Sequence, residues 1–590
     1  MNTSKHNYLH LLILSISLVF FSCKKENGSK PNQVGGETIG LSFNTLISDD
    51  FTDLNKELKA STNPSNYSIR EEYGTFIGST KNQDFEVATF VKNTKSSSSN
   101  GNKSIKAQSE KNANSNNLKA TIPLGTGMKY RVYLRNRATG EWQTKVFSSN
   151  STSGADTISI YKHNDYDWYA FSQNPNANTD VPDIRSGNTL KIKSENKDLL
   201  WAKGEVLASN DTGNKKLNIV FQHKLAQLKV YLDYRGIFVN TLTNYAFNFV
   251  INNPSGNATS LQRGDLDILT GNFIAGTHAN YTPSITATFN EPPYVDQQTY
   301  YLYSSTASNY SNIILTFPTL AYSTYDGRNV SLSNRPLTLQ GTGTNGIVTE
   351  IGGSTTLNFL FIESPVKSGN ANTEWARANL YYEGDAAHNP YRFRRQTTQA
   401  GNPPNNSFIY RSAKVPNKDM FMKNHKKPDT YANRPVGDRN NTAIYPLGDP
   451  CLEVFPKGAW KKPSHQDFVD FVASVPKYPW GDFNTDYFKG ITHLVGGPNS
   501  QNTLGQYESN YVVFERNGFI NNTDLVVTTN FGYYWSDRNP GNGGTQIGSL
   551  LKIEGDGESP FTNQPWFVSV VNQVAQTAAS IRCVRTTLYQ

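Results

Sequence analysis

The stretch Met128-Lys129-Tyr130-Arg131-Val132-Tyr133-Leu134-Arg135 indicates the fold most directly. Its even-numbered positions are apolar or aromatic, while its odd-numbered positions are cationic or, at Tyr133, amphipathic. Successive side chains of a β-strand point to opposite faces, so this alternation predicts a strand with one face in a core. Residues 38–46 alternate in the same way, and further strand-like runs occur at 300–304, 313–317 and 357–362. With 44 Gly and 28 Pro to form turns, the chain is predicted to be mainly β.

A second long run, residues 217–232, has two alternating halves that are out of phase. Apolar side chains stand at odd positions up to Leu225 and at even positions from Leu228 onward. A β-bulge near Ala226 would restore the inward face. His223 lies on the apolar side of the first half, which favours a hydrogen-bonded core histidine over a catalytic one.

The last part of the chain carries one predicted helix. Ser464-His465-Gln466-Asp467 has the spacing of a capping box, and apolar residues then repeat at helical spacing until Pro476. Segment 365–590 is therefore predicted to be α+β. Polar residues at 210–214 and the stretch 365–369 mark junctions, so 38–212 and 213–364 are predicted to be two β-rich domains.

The N-terminus indicates export. A short basic region precedes the apolar run 11–21, which is too short to span a bilayer, and Ser22 precedes Cys23. This layout is typical of a bacterial lipoprotein signal, although Phe20 stands where such signals usually carry Leu. We expect residues 1–22 to be the signal peptide, Cys23 to be acylated in the outer membrane, and 23–37 to be a flexible tether. An ordinary signal peptide and an uncleaved anchor are the alternatives.

The two remaining cysteines, Cys451 and Cys583, form an even pair in an oxidising compartment. We predict a disulfide that closes a loop of about 130 residues and contributes about 4–5 kcal/mol by loop entropy, less any strain. Two free buried thiols are the alternative.

Composition and spacing favour a non-catalytic protein without cofactors. The net charge is +8, but Lys and Arg are scattered, so nucleic acid is not an expected partner. The nine His form no metal-ligand spacing outside the signal peptide, and no G-x-S-x-G occurs. No glycosidase carboxylate pair can be identified from sequence. Calcium at acidic loop residues is the alternative for a metal site, and its candidates are Asp449, Asp537, Asp556 and Glu558.

Three segments together resemble the fimbrillin family, the Mfa-like and FimA-like subunits of Bacteroidota fimbriae. They are residues 122–134, Asp167-Trp168-Tyr169-Ala170-Phe171, and Phe221-Gln222-His223-Lys224-Leu225-Ala226. The resemblance spans about 38–362 and implies two tandem transthyretin-like β-sandwiches. It also implies assembly with other subunits by β-strand addition, after a protease removes the first strand at an arginine. Arg70, the first arginine in the chain, is the candidate for that cut.

A second resemblance covers about 363–590. Glu374–Tyr382, Gly448-Asp449-Pro450-Cys451, Gly458–Ser464, Gly532–Ser536 and Ser580–Arg585 are similar to the FISUMP-type domain, which implies a C-type-lectin-like fold. The family's usual Arg and Thr are replaced here by Lys461 and Ser464.

Aromatic side chains in this last segment suit contact with a glycan or protein ligand. The candidate ligand-binding residues are Tyr478, Trp480, Tyr533, Tyr534 and Asp537, although half or more of the aromatic residues in this segment, Trp535 and Trp566 among them, are expected in the core. The sequence therefore predicts a fimbrial tip or accessory subunit, or adhesin, that binds through its C-terminal domain. A non-polymerising outer-membrane lipoprotein or fimbrial anchor is the alternative, and an envelope enzyme is less favoured.

Overall fold

The computed structural model describes most of the chain between residues 37 and 586. The described ranges are 37–48, 73–81, 85–94, 121–125, 127–149, 156–173, 181–207, 214–252, 258–282, 289–290, 296–310, 312–327, 329–340, 347–367, 372–393, 421–422, 425–428, 446–474, 493–494, 513–514, 519–520, 525–526, 531–537, 547–554, 567–574 and 578–586.

Strands dominate these ranges, as predicted. In chain order they are β1 Thr38–Ser48, β2 Thr75–Lys81, β3 Phe85–Thr94, β4 Thr121–Pro123, β5 Lys129–Asn136, β6 Trp142–Ser148, β7 Ile158–Tyr161, β8 Asp165–Gln173, β9 Arg185–Ser186, β10 Thr189–Lys193, β11 Leu199–Leu207, β12 Lys215–His223, β13 Ala226–Gly236, β14 Val239–Asn252, β15 Ala258–Thr259, β16 Leu261–Arg263, β17 Asp265–Asp267, β18 Asn272–Phe273, β19 Ala279–Tyr281, β20 Phe289–Asn290, β21 Gln297–Ser304, β22 Ser308–Tyr310, β23 Asn312–Thr324, β24 Asn329–Gln340, β25 Ile347–Thr349, β26 Ser354–Glu363, β27 Val366–Lys367, β28 Glu374–Trp375, β29 Leu380–Tyr382, β30 Tyr391–Phe393, β31 Phe421–Met422, β32 Trp460–Lys461, β33 His493–Leu494, β34 Val513–Phe514, β35 Phe519–Ile520, β36 Leu525–Val526, β37 Phe531–Trp535, β38 Ile547–Glu554, β39 Phe567–Val574, β40 Ala578–Ala579 and β41 Val584–Arg585.

The first sheet has the order β4-β1-β12-β11-β8-β5-β6, and β7 also pairs with β1. The strand predicted around residues 128–135 is β5, and its inward side chains Tyr130, Val132 and Leu134 are buried. They pack with Ile219 and Phe221 of β12 in one apolar core. The alternation that predicted the strand therefore marks the core face of this sheet.

The second sheet has the order β2-β3-β26-β13-β21-β20 and faces a four-stranded sheet, β15-β14-β23-β24, across a shared core. β26 lies inside this sheet and is buried along its whole length. Leu357, Phe359 and Phe361 contribute to the core between the two sheets, while Leu360 and Ile362 contribute to a different core on the other face. A strand with both faces covered carries near-continuous apolar sequence.

The phase change near Ala226 is not a β-bulge, so that prediction is wrong. β12 pairs with β1 and β11 in the first sheet and ends at His223, whereas β13 begins at Ala226 and pairs with β21 and β26 in the second sheet. The alternation changes phase because the chain passes from one sheet to the other through Lys224 and Leu225.

The two β-rich segments also exchange strands. β2 and β3 come from the predicted 38–212 segment but belong to the second sheet, where β3 pairs with β26 over ten positions from Phe85 to Thr94. Conversely, β17 from the 213–364 segment pairs with β10. Residues of this small sheet, including Leu190 and Leu266, cover part of the outer face of the first sheet around Tyr133 and Phe171. Sequence order and spatial order therefore differ here, and the boundaries at 212 and 364 stay predictions.

The predicted helix is present as α1 (His465–Ser474). The Ser464 amide donates to Asp467 Oδ2 at 2.8 Å, and the Asp467 amide donates to Ser464 Oγ at 3.1 Å, so the capping box is confirmed. Its apolar side packs Phe468 against Trp375 with ring centroids 5.6 Å apart. The described residues from 366 onward form this helix and several small sheets and are called the C-terminal unit below.

Candidate functional site

β1 is inserted among strands that come from much later in the chain. It runs parallel to β12 over Leu41–Ile47 and antiparallel to β7 at its start and to β4 at its end. It therefore has partners on both sides. Removing β1 would leave the β12 edge without its partner and would open a strand-length groove in the first core.

The inner face of β1 fills this groove. Ile39, Leu41 and Thr45 are buried, and the Phe43 ring meets Phe147 edge-on with centroids 5.0 Å apart. Full burial of one Leu side chain stabilises a fold by about 1.5–3 kcal/mol. Any strand that occupies this position must therefore present apolar side chains at alternate positions.

The outer face of β1 is held by weaker polar contacts. Gly40 N donates to Asn214 Oδ1 at 3.0 Å, and Asn44 Nδ2 donates to Asn218 Oδ1 at 3.0 Å. A Cβ at position 40 would lie 2.6 Å from Asn214 Oδ1, so a larger residue there would displace the Asn214 side chain and its hydrogen bond. Lys162 pairs with Glu37, and its hydrogen bond and charge lower the pKa of that exposed carboxyl. Exposed contacts of this kind stabilise little, so burial and backbone pairing retain the strand.

Two predicted residues of this region, Cys23 and Arg70, lie outside the described residues. The tether 23–37 does too, except for Glu37. Lipidation at Cys23 and cleavage at Arg70 stay predictions. Arg70 precedes Tyr73, where the described chain resumes beside the second sheet.

His223 is buried near the end of β12, as predicted, with Nδ1 3.0 Å from Asp198 Oδ1. It therefore belongs to the packing of the first sheet.

The C-terminal unit shares an apolar core with the outer face of the second sheet. Phe90 and Leu360 of that sheet and Trp460 of the unit belong to one buried cluster. Arg235 lies over the Phe455 ring, with Cζ 3.9 Å from the centroid, and His388 Nε2 lies 3.1 Å from the buried Asp296 Oδ1. The second sheet and the four-stranded sheet that faces it are called the second sandwich, and the C-terminal unit is joined to this sandwich by a continuous interior.

A buried ion pair crosses the same boundary. Arg585 Nη2 lies 2.8 Å from Glu86 Oε2, and the side chains are 4% and 1% exposed. The Arg585 guanidinium also lies over the Trp460 ring, 4.9 Å from its centroid. Removing one partner of a buried pair leaves an uncompensated charge in a low dielectric and is strongly destabilising. This pair joins the last described strand to β3.

The predicted disulfide joins Cys451 and Cys583, whose Cα atoms are 5.8 Å apart and whose side chains are fully buried. Asp449 shapes the loop beside it: Oδ1 accepts from the Cys451 amide at 2.8 Å, and Oδ2 accepts from the Lys462 amide at 2.7 Å. Burial raises the pKa of Asp449. Both carboxylate oxygens of Asp449 therefore accept backbone hydrogen bonds that fix this loop. Among the described residues, no group of three or more His, Cys, Asp or Glu could hold a metal ion.

Two aromatic residues of the C-terminal unit that were predicted to bind a ligand are buried in its core. Tyr533 is 7% exposed and Tyr534 is 0% exposed, so both rings belong to the core and neither offers a face to a ligand. β37 pairs with β38, and its two faces pack against the shared core and against α1, so neither face of this strand is open. Trp535 is buried as predicted. Asp537 is exposed, whereas Tyr478, Trp480 and Trp566 lie outside the described residues.

Sequence reasoning did not identify the arginines that organise the C-terminal unit. Arg582 is fully buried, with Nε donating to Asn379 Oδ1 at 2.8 Å and Nη1 to the Ala376 carbonyl at 3.1 Å. Arg585 forms the pair with Glu86. The motif Ser580–Arg585 contains both arginines. The sequence identifies a partner only for its cysteine, Cys583, because Cys451 is the one other cysteine left after Cys23.

In the ranges that the structure describes, no helix is long and apolar enough to cross a membrane.

Comparison with known proteins gives weak likenesses. No family model and no curated protein matches the chain. Among solved structures, a candidate cell adhesion protein from Bacteroides fragilis is 10% identical with a TM-score of 0.25, covering 45% of this chain and 96% of its own. The fimbrial anchor protein Mfa2 from Porphyromonas gingivalis is 12% identical with a TM-score of 0.20, covering 41% and 88%. A fimbrial assembly protein from Parabacteroides distasonis is 12% identical with a TM-score of 0.21, covering 42% and 86%. These TM-scores are too low to define the fold, which follows instead from the sheets of this chain.

Proposed function

We propose that this chain is a lipid-anchored, non-catalytic cell-surface protein that acts as an adhesin or as a tip or accessory subunit of a fimbria. The observation that carries the proposal is the position of β1. It is an N-terminal strand that fills a groove in the first sheet and is followed by the segment that contains Arg70. An N-terminal strand of this kind suits β-strand addition, in which an extended segment of another chain takes its place.

The other end of the chain supports a terminal position in such an assembly. β26 is buried inside the second sheet and continues through β27 into the C-terminal unit. The second sandwich therefore has no free last strand to donate to a neighbour. A subunit that accepts a strand but does not donate one would end or begin a fibre.

The alternative is a lipoprotein, including a fimbrial anchor, that keeps β1 permanently. The burial of Ile39 and Leu41 and the seven-residue backbone pairing of β1 with β12 favour it, because they hold β1 in its groove. In both cases we propose acylation at Cys23 and a glycan or protein ligand. Asp537 is the exposed candidate in the C-terminal unit, with Tyr478 and Trp480 as further candidates.

A reversible lock on β1 distinguishes the two. Asn44 and Asn218 lie opposite each other in the register of β1 and β12, so the double variant Asn44→Cys/Asn218→Cys can bridge the strands. If strand addition is the function, the bridged protein fails to enter purified fimbriae, and each single variant enters normally. Equal incorporation of the bridged protein would refute strand exchange and leave the anchor.

The lipid is tested separately. We expect Cys23→Ala to abolish palmitate labelling of the full chain. We also expect this variant to be absent from the membrane fraction. Membrane association that is unchanged in this variant would refute the anchor.

A further inference from the structure

The structure assigns a second candidate binding site to the outer face of the first sheet, and we propose that it takes a carboxylated sugar, such as a uronic acid within a polysaccharide. The site is called the Trp142 corner and consists of Arg135, Trp142, Asp167, Tyr169, Lys203 and Glu205. It lies in the first sheet, whereas the proposed function places adhesion in the C-terminal unit.

The strand registers bring these residues to one face. Arg135 of β5 is paired with Trp142 of β6 and with Asp167 of β8. Asp167 is in turn paired with Glu205 of β11, and Tyr169 with Lys203. Paired residues on neighbouring strands share a face. Four strands therefore form the floor of the corner on the side opposite the first core.

The small sheet that contains β9 and β10 packs on the same face and forms a wall beside this floor. Farther along the same face, Tyr133, Phe171 and Trp201 are buried beneath the small sheet that contains β9 and β10. The turn between β9 and β10 holds the exposed Asn188, whose Oδ1 accepts from Trp142 Nε1 at 3.3 Å. Trp142 and Tyr169 are half-buried at the base of this wall.

The two rings supply an apolar surface of fixed orientation. The Trp142 and Tyr169 centroids are 6.0 Å apart and the rings are inclined at 38°. The C–H face of a pyranose ring stacks on aromatic rings presented in this way. Because Trp142 is held by both Asn188 and the sheet, little side-chain freedom would be lost on binding.

The charges select an anion. Arg137 bonds both carboxylates of the corner, Asp167 at 2.6 Å and Glu205 at 2.7 Å, which compensates one of the two negative charges and leaves acceptor positions for hydroxyl groups. Arg135 lies over the Trp142 ring at 5.7 Å, and in the part of the chain that the structure describes it forms no ion pair. The same holds, within those ranges, for Lys203, which lies 5.7 Å from the Trp201 centroid.

An arginine stacked on an aromatic ring keeps its N–H edge free for bidentate contact with a carboxylate. Arg135 is therefore placed to bind the carboxylate of a sugar whose ring lies on Trp142 and Tyr169. Hydroxyl groups of that sugar would donate to Asp167 and Glu205. A neutral sugar would leave Arg135 without an anionic partner, and a simple anion would leave the rings uncovered.

The test uses the full chain and two matched probes, an oligogalacturonate and its methyl ester, measured by calorimetry at low and physiological salt. We expect the acid to bind at least tenfold more tightly than the ester. Arg135→Gln should remove this preference, Arg135→Lys should retain part of it, and Trp142→Ala should weaken both probes. Lys457→Gln, the same charge change in the C-terminal unit, should change neither. Circular dichroism and thermal unfolding verify that each variant is folded.

Equal affinity for acid and ester would overturn the carboxylate assignment. Unchanged binding in both Arg135→Gln and Trp142→Ala would overturn the site, as would a folded wild-type chain that binds neither probe. A self-association that Trp142→Ala abolishes would show that a second copy occupies the corner and would also overturn the proposal. None of these outcomes depends on fimbrial incorporation, so the failure of the Trp142 corner and the failure of the proposed function are distinguishable.

Discussion

The two ends of the described chain are fixed in opposite ways. β1, at the start, is held by backbone pairing and by one apolar face, and its polar contacts are exposed. The C-terminal unit, at the end, is held by a disulfide, a buried ion pair and a core shared with the second sheet. The first arrangement permits replacement of a strand by another of the same pattern, whereas the second resists separation. The contrast predicts that strand exchange is confined to the first sheet.

The largest effect is expected from the disulfide. Replacing both Cys451 and Cys583 with Ser should lower the free energy of unfolding of the C-terminal unit by about 4–5 kcal/mol, because the bridge restricts a long loop in the unfolded chain. Thermal unfolding in oxidising and reducing buffer measures this loss. Cys23→Ser serves as the control, and an equal loss in the first sheet would contradict the contrast between the two ends.

The ion pair across the boundary should come next. Arg585→Met alone should cost about 3–5 kcal/mol, because it leaves Glu86 charged and buried. The double variant Glu86→Leu/Arg585→Met should recover much of this loss. A double-mutant cycle from urea unfolding measures the coupling. Additive single effects would show that the pair does not couple the C-terminal unit to β3.

The inner face of β1 should show an intermediate effect. Leu41→Ala removes a fully buried side chain from the first core and should cost about 3 kcal/mol. Hydrogen exchange should locate the loss in the first sheet, with the second sandwich unchanged. Asn44→Ala, on the outer face of the same strand, is the matched control and should change little. Destabilisation that spreads to the C-terminal unit would mean that the two ends are not independent.

The smallest effect is expected from two carboxylates that differ in surroundings. Burial raises the pKa of Glu453, but its hydrogen bond to Lys426 and the charge of Lys457 outweigh this and lower it below 4.5. A carboxyl with a lowered pKa in the folded state contributes stability above its unfolded pKa, and this is lost as the pH falls through the folded value.

Glu453→Gln should therefore flatten the pH dependence of unfolding below about pH 4.5. Glu37→Gln, which removes an exposed pair at β1 that solvent screens, should change the curve less than Glu453→Gln does. Unfolding curves between pH 3 and 7 compare the two variants. A larger effect at position 37 would reverse the proposed contrast.

Local pattern predicted much of the fold, and long-range pairing set the limit. The alternation at β5, the capping box of α1, the core position of His223 and the Cys451–Cys583 bridge each depend on near neighbours or on counting, and the structure contains all four. The exchange of β2 and β3 into the second sheet depends on pairing between residues 85–94 and 354–363, which no local pattern encodes. The prediction of a β-bulge at Ala226 was wrong for the same reason. A change of sheet and a bulge produce the same change of phase in the apolar alternation.

The candidate sites show the same limit. Alternation alone could not distinguish the buried rings of Tyr533 and Tyr534 from surface aromatic residues, since β37 is covered on both sides. Conversely, Trp142 lies in β6 and Tyr169 in β8, with β7 between these strands in sequence, and only the register of β5, β6 and β8 brings the two residues together. Arg585 and Glu86 lie near opposite ends of the chain, so their pairing has no signal in the sequence spacing.

The double burial of β26 has an evolutionary consequence. Odd positions of this strand complete the interior of one sandwich, and even positions complete the interface with the following unit. A gene fusion that transplanted residues 365–590 onto another protein would leave Leu360 and Ile362 bare on the donor and would find no matching apolar surface on the recipient. The C-terminal unit is thus unsuited to transfer between proteins as an independent domain. Substitutions at its interface are expected to occur together with substitutions in β26.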